Sequence, residues 1–483
     1  MIHPQSIGYV LGQFLLGLAA TMLIPIGFGA LDDGTGLEPL GYAFGITLAC
    51  GVGLMLALKK PAAELNQREG LLMVVAIWAS VGVFGSLPFY FSPFFPSFTD
   101  AFFEAISGFT TTGATILSDV AVLPNAIQFW RCFSHWIGGM GIVLLGVAIL
   151  PLVGHGGMQL YRAEFSGAKS EKLKPRIQEA AFSLWKIYFA LTVIQFAALR
   201  MAGMNAFEAM CHTFSTLGTG GFSTRTQSVA GFQSPVIEYI IIFFMAIAGM
   251  SFVQQYRLWV EGRPGTFFRD FEIRNYVAIM AITSILIAVI ISFDHGYGPE
   301  KAFRTGLFQV TSIMTTTGFA TDDFEVWHPL PQLILLALMF VGGCTGSTAG
   351  GLKTSRIVLL SRVVDREFKR MVERRGVFAV RVGDTVVSEP TIQSLLNLVY
   401  LAFLVNFVSC LLLAAVGVDV LTAISAVAAS MFNVGPGLGG VGPAENYGHL
   451  PALAKWVLSG CMVAGRLEFY TVLVILTPAF WRK

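Results

Sequence analysis

Four segments rich in threonine and glycine recur along the chain, and their residue types suit the coordination of a cation by backbone oxygens. Glycine lets the backbone turn its carbonyls to one side, and a ring of such carbonyls can replace the hydration shell of an ion. We call these the ring segments: Thr110-Thr111-Thr112-Gly113-Ala114-Thr115, Gly218-Thr219-Gly220-Gly221-Phe222-Ser223, Thr315-Thr316-Thr317-Gly318-Phe319-Ala320 and the more divergent Phe432-Asn433-Val434-Gly435-Pro436-Gly437.

The reference glycines of the ring segments, Gly113, Gly221, Gly318 and Gly435, follow one another at intervals of roughly 100 residues, as structural repeats do. A single Thr/Gly cluster is more often an ordinary loop between helices, whereas four copies in register favour one ring. The sequence therefore predicts a cation filter at the backbone carbonyls of twelve residues. They are Thr111, Thr112, Gly113, Thr219, Gly220, Gly221, Thr316, Thr317, Gly318, Asn433, Val434 and Gly435.

Each ring segment follows a short apolar stretch that predicts a helix of about three turns. Four residues stand at one common distance before the reference glycines: Asp100, Glu208, Thr305 and Thr422. Aspartate and threonine are N-cap residues and glutamate suits a first helical turn, so we expect the helices to begin there. Their negative dipole ends then point at the ring segments.

A glycine-rich run interrupts the long apolar stretch 333–364. Five of the ten residues 342–351 are glycine, and each costs a helix about 1 kcal/mol relative to alanine. We expect the helix to break and to form an intramembrane loop that gates the path below the third ring segment. A kink that packs small residues against a neighbouring helix is the alternative. The predicted gate loop comprises Gly342, Gly343, Gly346, Ser347, Thr348, Gly350, Gly351 and Lys353.

Arg466 and Glu468 lie deep in the last apolar stretch. Ionisable groups at such depth are functional hypotheses by default. Two residues apart on a helix, they point in nearly opposite directions and do not pair with each other. We predict that Arg466 faces the path below the filter. The alternative is a structural arginine paired with a carboxylate elsewhere in the fold.

The composition defines the class of protein. The chain of 483 residues is 55% hydrophobic and 12% charged, whereas soluble proteins average about 25% charged residues. It is therefore an integral membrane protein. The cysteines and histidines form no metal-binding pattern, and we interpret His135 and His212 as packed core residues. Catalytic and nucleotide-binding motifs are lacking, so the sequence predicts neither an enzyme nor a cofactor in this chain.

Ten apolar stretches are long enough to cross about 30 Å of hydrocarbon, and four shorter ones precede the ring segments. The predicted fold class is an all-α integral membrane protein with ten transmembrane helices and four re-entrant pore helices. These form four helix–P-loop–helix repeats in a pseudo-fourfold arrangement. The predicted units are a leading two-helix hairpin over 1–68 and repeats over 69–176, 177–270, 271–385 and 386–483, the third with a broken second helix.

Basic residues predict the orientation. Lysine and arginine concentrate in the loops within 59–68, 162–186, 257–274 and 353–381. Such loops face the cytoplasm, which places both termini there and opens the ring segments to the outside. Basic loops also attract anionic lipid or a soluble partner. On the outer side, we expect acids that include Asp100 and Asp322 to form a cation-attracting mouth.

Together these motifs resemble the Trk/Ktr/HKT superfamily over essentially the whole chain. The resemblance rests on the ring segments, the break at 342–351, Gly465-Arg466-Leu467-Glu468 and Ile137-Gly138-Gly139-Met140-Gly141. It implies potassium ions bound at the filter carbonyls, a homodimer in the bacterial inner membrane, and a cytosolic nucleotide-binding regulatory subunit resembling TrkA. It also implies that the gate loop and Arg466 restrict the pore. The extra glycines of the second ring segment depart from the pattern, and we expect them to loosen that quadrant.

Two other functions stay open at this point. A sodium-permeable or sodium-coupled cation transporter would share most of these features and would differ in its reversal potentials. A small-solute secondary transporter is more distant, because such folds usually contain inverted repeats. The four copies here run in the same sense along the chain.

Overall fold

The computed structural model describes the backbone of residues 3–58, 66–148, 173–383 and 385–482, and its secondary structure is helical apart from one two-stranded ribbon. In chain order the helices of these residues are α1 Pro4–Leu31, α2 Leu37–Ala57, α3 Gln67–Gly85, α4 Leu87–Tyr90, α5 Phe98–Phe109, α6 Asn125–Ala148, α7 Leu173–Met201, α8 Ala206–Leu217, α9 Pro235–Ala248, α10 Phe252–Trp259, α11 Pro264–Arg269, α12 Phe271–His295, α13 Pro299–Met314, α14 Pro329–Met339, α15 Thr354–Val372, α16 Glu389–Ala415, α17 Val420–Met431, α18 Ala452–Arg466, α19 Tyr470–Leu473 and α20 Pro478–Trp481. The ribbon pairs β1 Arg381–Val382 with β2 Thr385–Val386.

Six helical spans within the described residues are long and apolar enough to cross a membrane. They are Pro4–Leu31, Leu37–Ala57, Arg68–Tyr90, Ala181–Met201, Phe271–His295 and Glu389–Ala415. Two bent pairs reach the same apolar length, α9 with α10 at 101° and α18 with α19 at 113°. The fold is therefore that of an all-α multi-pass membrane protein.

The first two helices pack closely along each other. A Cβ added to Gly12 of α1 would lie only 2.9 Å from the carbonyl oxygen of Gly51 in α2. Without a hydrophobic driving force between helices in lipid, small residues let two backbones approach and gain dispersion contacts. This contact explains why glycines occur at both positions.

Four short buried helices, α5, α8, α13 and α17, precede the ring segments. Three of them contain 12 residues and the third in order, α13, contains 16. Their N-caps are Ser97, Asn205, Gly298 and Asp419. Asp100 and Thr422 are not the N-caps, because Ser97 and Asp419, three residues earlier, accept hydrogen bonds from their backbone N–H groups. Glu208 lies in the first turn as expected, after the N-cap Asn205. Thr305 lies inside α13 rather than at its start.

The helices that follow the ring segments differ in continuity. Helix α6 runs unbroken over the described residues up to Ala148, whereas a break separates α9 from α10 at residues 249–251 and α14 from α15 at residues 340–353. Helix α18, which follows the fourth ring segment, ends at Arg466, and a break separates it from α19. In this break Glu468 and Phe469 have positive φ values of 58° and 54°. The glycine run predicted only the second of these three breaks.

Candidate ion pathway

The four ring segments share one backbone conformation. Residues two positions before the reference glycine, Thr111, Thr219, Thr316 and Asn433, have φ values of 55°, 55°, 56° and 57°. The reference glycines themselves have φ values of 82°, 80°, 79° and 101°. A left-handed conformation is rare for threonine, so its recurrence at four equivalent positions is a built feature of these segments.

Contacts between neighbouring segments close into a cycle. A Cβ added to Gly113 would lie 1.9 Å from the Gly220 carbonyl oxygen, and one added to Gly221 would lie 2.1 Å from that of Thr317. The same construction on Gly318 meets the Val434 oxygen at 2.1 Å, and on Gly435 it meets the Thr112 oxygen at 2.6 Å. Each glycine therefore faces the carbonyl that precedes the next glycine, and the fourth segment returns to the first.

Pairs of threonine hydroxyl groups hydrogen-bond to each other within the first and third segments. The Oγ1 atoms of Thr110 and Thr112 lie 2.8 Å apart, and those of Thr315 and Thr317 lie 2.7 Å apart. In the fourth segment Asn433 donates from Nδ2 to Thr112 Oγ1 at 2.9 Å, which links it to the first. The second segment has glycine at both corresponding positions, Gly218 and Gly220.

A polar side chain on each short helix contacts the C-terminal end of its own ring segment or the residues just after it. Glu104 accepts hydrogen bonds from Thr115 Oγ1 at 2.9 Å and from the Ile116 amide at 3.0 Å. His212 Nε2 lies 3.0 Å from Ser223 Oγ, and Gln309 donates from Nε2 to the Asp322 carbonyl just after the third segment. Ser425 Oγ donates to the Leu438 carbonyl and accepts from the Leu438 amide just after the fourth. Sequence reasoning missed these residues because they have four different side chains. Their nearly constant distance before the reference glycine was the available signal.

Glu104 is also half of a buried ion pair. Arg131 of α6 donates from Nε to its carboxylate at 2.6 Å, and both side chains are almost completely buried. The guanidinium lies 3.6 Å from the ring centroid of Phe222 and donates to the Ser223 carbonyl at 3.1 Å. Removing one partner of such a pair leaves an uncompensated buried charge. The pair joins the first ring segment to the second.

One of the acids predicted to form a cation-attracting mouth is paired inside the protein. Asp100 is buried and pairs with Lys455 at 2.6 Å, so it does not face an open vestibule. The vestibule above the ring is lined by all four segments together with Glu445 and Arg225. Glu325, another of the acids before α14, accepts from the Gly439 amide, and burial raises the pKa of its carboxyl.

The sequence matches the TrkH family, described as cation transport proteins, over residues 42–483. The chain belongs to the TrkH family. The Trk system potassium uptake protein TrkH of Escherichia coli strain K12 is 41% identical over the full length of both chains. The Trk system potassium uptake protein TrkG of the same strain is 32% identical and covers 100% of this chain and 99% of its own. The family consists of transporters rather than enzymes.

The fold agrees with a solved member of the TrkH family. The crystal structure of the potassium transporter TrkH from Vibrio parahaemolyticus matches this chain with a TM-score of 0.91 and 39% identity, covering all of both chains. Likeness of this extent, together with the six long apolar helices, identifies a multi-pass inner-membrane protein.

In this TrkH-family chain the predicted gate loop forms the break between α14 and α15 and lies against three repeats. Thr348 donates from Oγ1 to the carbonyls of Leu217 at 3.0 Å and Ala248 at 3.2 Å, both in the second repeat. The Gly350 amide donates to Thr316 Oγ1 at 2.6 Å in the third ring segment. A Cβ added to Gly350 would lie 2.4 Å from the Phe432 carbonyl of the fourth. The loop thus contacts Leu217, Thr316 and Phe432, which come two to four residues before the reference glycines of their segments.

One carboxylate accepts hydrogen bonds from residues near both ends of the loop. The sequence did not predict this residue. Glu272, near the start of α12, accepts from the Thr345 amide at 2.8 Å and from the Ser355 amide at 2.9 Å. Gly342 and Thr354 close the neck through a hydrogen bond of 2.9 Å. Lys353 donates back to the Ala349 carbonyl. The loop is therefore an ordered structure with a defined anchor.

Arg466 contacts this loop from the last repeat. Its guanidinium donates from Nη1 to the Thr348 carbonyl at 2.8 Å and from Nη2 to the Gly138 carbonyl at 3.4 Å. The Nε atom is buried without a partner among the described residues. Glu468 points elsewhere and pairs with Arg356 at 2.8 Å. The two charges do not pair, as predicted, but they are separated by the end of helix α18 at Arg466 rather than by their angle around one helix. Arg466 joins the gate loop to α6.

Proposed function

We propose that this chain takes up potassium ions across the bacterial inner membrane through a pore whose selectivity filter is the ring of four segments. The closed cycle of contacts between each reference glycine and the next segment's carbonyl carries the proposal. Only a residue without a side chain fits at each of the four contacts, and the carbonyls that meet there are the groups that can replace potassium's hydration shell. Potassium is the transported ion, and no cofactor in this chain is required.

The gate loop and Arg466 form the second part of the proposal. The loop lies beneath the second, third and fourth repeats, and the buried guanidinium rests on its carbonyl at Thr348. A positive charge below a cation filter raises the energy of an ion there, by about 4 kcal/mol at 4 Å with an effective dielectric near 20. Loop and charge together would restrict the pore until the loop moves.

The finer architecture belongs to the same proposal. We infer ten spanning helices, four re-entrant pore helices and both termini in the cytoplasm, with repeat boundaries as predicted from the sequence. Counting each of the bent pairs α9–α10 and α18–α19 as one span raises the number of candidate spans among the described residues from six to eight, which supports this proposal.

The partners are a second copy of the chain, membrane lipid and a cytosolic regulatory subunit of the TrkA type. The relatives are named as members of a Trk system, which supports further subunits. We expect the regulator to dock chiefly on two basic stretches, 169–176 and 362–381. The side chains of 169–176 lie outside the described residues. The other, on α15 and the residues after it, carries exposed Arg362, Arg374 and Arg375.

Flux into liposomes that contain only the purified protein tests the proposal. We expect uptake of potassium and rubidium to exceed that of sodium, with reversal potentials that follow the potassium gradient. A reversal potential that follows the sodium gradient would favour the sodium-permeable alternative. Absence of any cation flux, in protein shown to be folded and also after the gate loop is released, would refute a pore.

A further inference from the structure

The second ring segment departs from the other three, and the structure shows what occupies the space its missing side chains leave. Where the first and third segments have threonine one residue before the reference glycine, this segment has Gly220. A Cβ added to Gly220 would lie 2.4 Å from Cγ and Nδ1 of His135 and 2.6 Å from its Cδ2. The imidazole of His135 fills this space.

His135 is built into this position by three contacts. Its ring stacks on Phe222, the residue after the reference glycine, with centroids 4.1 Å apart and planes inclined by 19°. Its Nδ1 lies 3.2 Å from Ser215 Oγ on the short helix α8. The side chain is completely buried. It therefore touches the short helix, the residue before the glycine and the residue after it.

The neighbouring interface has the reverse distribution of bulk. There the filter supplies a side chain, because a Cβ added to Gly249 would lie 2.9 Å from Thr315 Cγ2 of the third segment, and 2.5 Å from Tyr276 Oη of α12. At the second segment the filter supplies glycine and helix α6 supplies the imidazole. Thr315 stands three residues before its reference glycine and Gly220 one residue before its own, so the two contacts pair a side chain with a glycine at different positions of their segments.

We infer that His135 is a specificity-determining positioning residue for ion selection at the second ring segment, holding the Gly220 carbonyl in the ring in place of the filter threonine. This inference rests on the proposed filter. The Gly220 carbonyl is the group that faces Gly113 of the neighbouring first segment, and Gly220 has no side chain to restrain it. A glycine peptide without a buttress has more conformational freedom than a threonine peptide, and the imidazole removes that freedom. The extra glycines therefore do not loosen this quadrant.

An exchange of bulk between helix and filter tests the inference. The proteins compared in liposomes are the parent, His135→Ala, Gly220→Thr and the double variant, with Gly220→Ala as a milder second version. Potassium-to-sodium flux ratio and thermal unfolding midpoint are both measured. Threonine, valine and threonine occupy the equivalent position in the other segments, so the backbone at residue 220 accepts a side chain.

Gly218→Thr is the matched control. A Cβ at Gly218 would lie 2.4 Å from the backbone oxygen of His135, which an alanine at residue 135 retains. Loss of the imidazole therefore relieves the clash at residue 220 but not the clash at residue 218.

We expect His135→Ala to lower the potassium-to-sodium ratio by roughly fivefold, the change that a typical coupling between touching residues produces. Gly220→Thr should lower the unfolding midpoint, and the double variant should recover both midpoint and ratio toward the parent. Recovery of the midpoint alone would make His135 a packing residue and overturn the specificity role. If the losses of His135→Ala and Gly220→Thr simply add in the double variant, the imidazole does not support the Gly220 peptide. Equal rescue of Gly218→Thr by His135→Ala would have the same meaning. The midpoints test the contact even if the parent carries no potassium, which separates this failure from failure of the proposed function.

Discussion

Among the described residues Arg466 hydrogen-bonds only to carbonyl oxygens. These partners bear on whether it is a structural arginine paired with a carboxylate or a charge that acts on ions in the pore. A structural arginine is neutralised by a carboxylate, whereas Arg466 donates to Thr348 and Gly138 and leaves Nε unpaired. Carbonyl dipoles lower the cost of burial without cancelling the charge. In the part of the chain that the structure describes no carboxylate pairs with this guanidinium, which supports the proposal that its charge repels a cation.

We predict that Arg466→Gln raises potassium flux, because the amide keeps a donor toward Thr348 and removes the charge. A barrier of about 4 kcal/mol in the limit of 4 Å and a dielectric near 20 is large enough to limit throughput. Rubidium uptake by liposomes at matched protein content measures the effect, and exposed Arg200→Gln serves as the control variant. Flux equal to or below that of the parent, in protein with unchanged unfolding midpoint, would exclude the barrier role.

The four reference glycines give a second prediction at this scale. Serine at Gly113, Gly221, Gly318 or Gly435 adds an atom within 2.6 Å or less of a neighbouring carbonyl oxygen, so each substitution must displace that carbonyl and shift the potassium-to-sodium permeability ratio. Left-handed φ adds strain of about 1–3 kcal/mol at each site. Gly460→Ser is the control, because its Cβ meets nothing within 4 Å. Four unchanged ratios would contradict a ring.

The spacing of the motifs predicted which glycines come together. It did not predict which side chains contact and support the ring segments. Glu104, His212, Gln309 and Ser425 hold the ring segments with four different functional groups. A search by residue type cannot find a position that is shared only in geometry. His135 was interpreted as a core residue, which is right about its burial, but its contact with Gly220 depends on how helix α6 approaches a different repeat.

At the scale of elements, helix propensity predicted the break at the gate loop but not the other two helix breaks. Glycine content predicted that the apolar stretch breaks at 342–351, and the structure separates α14 from α15 there. The breaks after α9 and α18 have no comparable glycine run. Phe469 and Glu468 adopt left-handed φ because tertiary contacts fix that turn, and one of these is the pair between Glu468 and Arg356.

The anchoring of the loop by Glu272 yields a third prediction. Its carboxylate holds the amides of Thr345 and Ser355 on either side of the break, and hydrogen bonds to a charged group contribute about 1.5–3 kcal/mol. Glu272→Gln should weaken the closed loop and raise basal flux in the absence of any partner. Single-vesicle or ensemble rubidium flux measures it.

Glu300→Gln is the control for that variant, since Glu300 is exposed at the start of α13 and contacts Arg304 rather than the loop. If Glu272→Gln remains folded and conducts no better than the parent, the anchor does not contribute to closure. If it loses stability without a change in flux, Glu272 belongs to the packing of α12 alone.

At the scale of the whole molecule, the predicted cytoplasmic face combines charge with exposed apolar side chains. Arg374 and Arg375 follow α15, next to exposed Met371, Val372 and Val377. Surfaces of this composition fit a protein partner better than they fit water. Arg366, which the sequence alone would include in the docking surface, is buried and pairs with Glu389 and Glu367, so it joins α15 to α16 instead.

We therefore predict that Arg374→Glu combined with Arg375→Glu abolishes co-purification of a co-expressed nucleotide-binding subunit of the TrkA type, while leaving the unfolding midpoint unchanged. Each basic residue near a membrane also contributes about 1 kcal/mol to binding of anionic lipid, so vesicle association is measured in parallel. Lys301→Glu, at the predicted outer end of α13, is the control. If the subunit still co-purifies with the reversed chain and only vesicle binding weakens, this surface contacts lipid headgroups and the regulator docks elsewhere. Loss of the subunit with intact vesicle binding would place the regulator beneath α15, the helix that leads directly out of the gate loop.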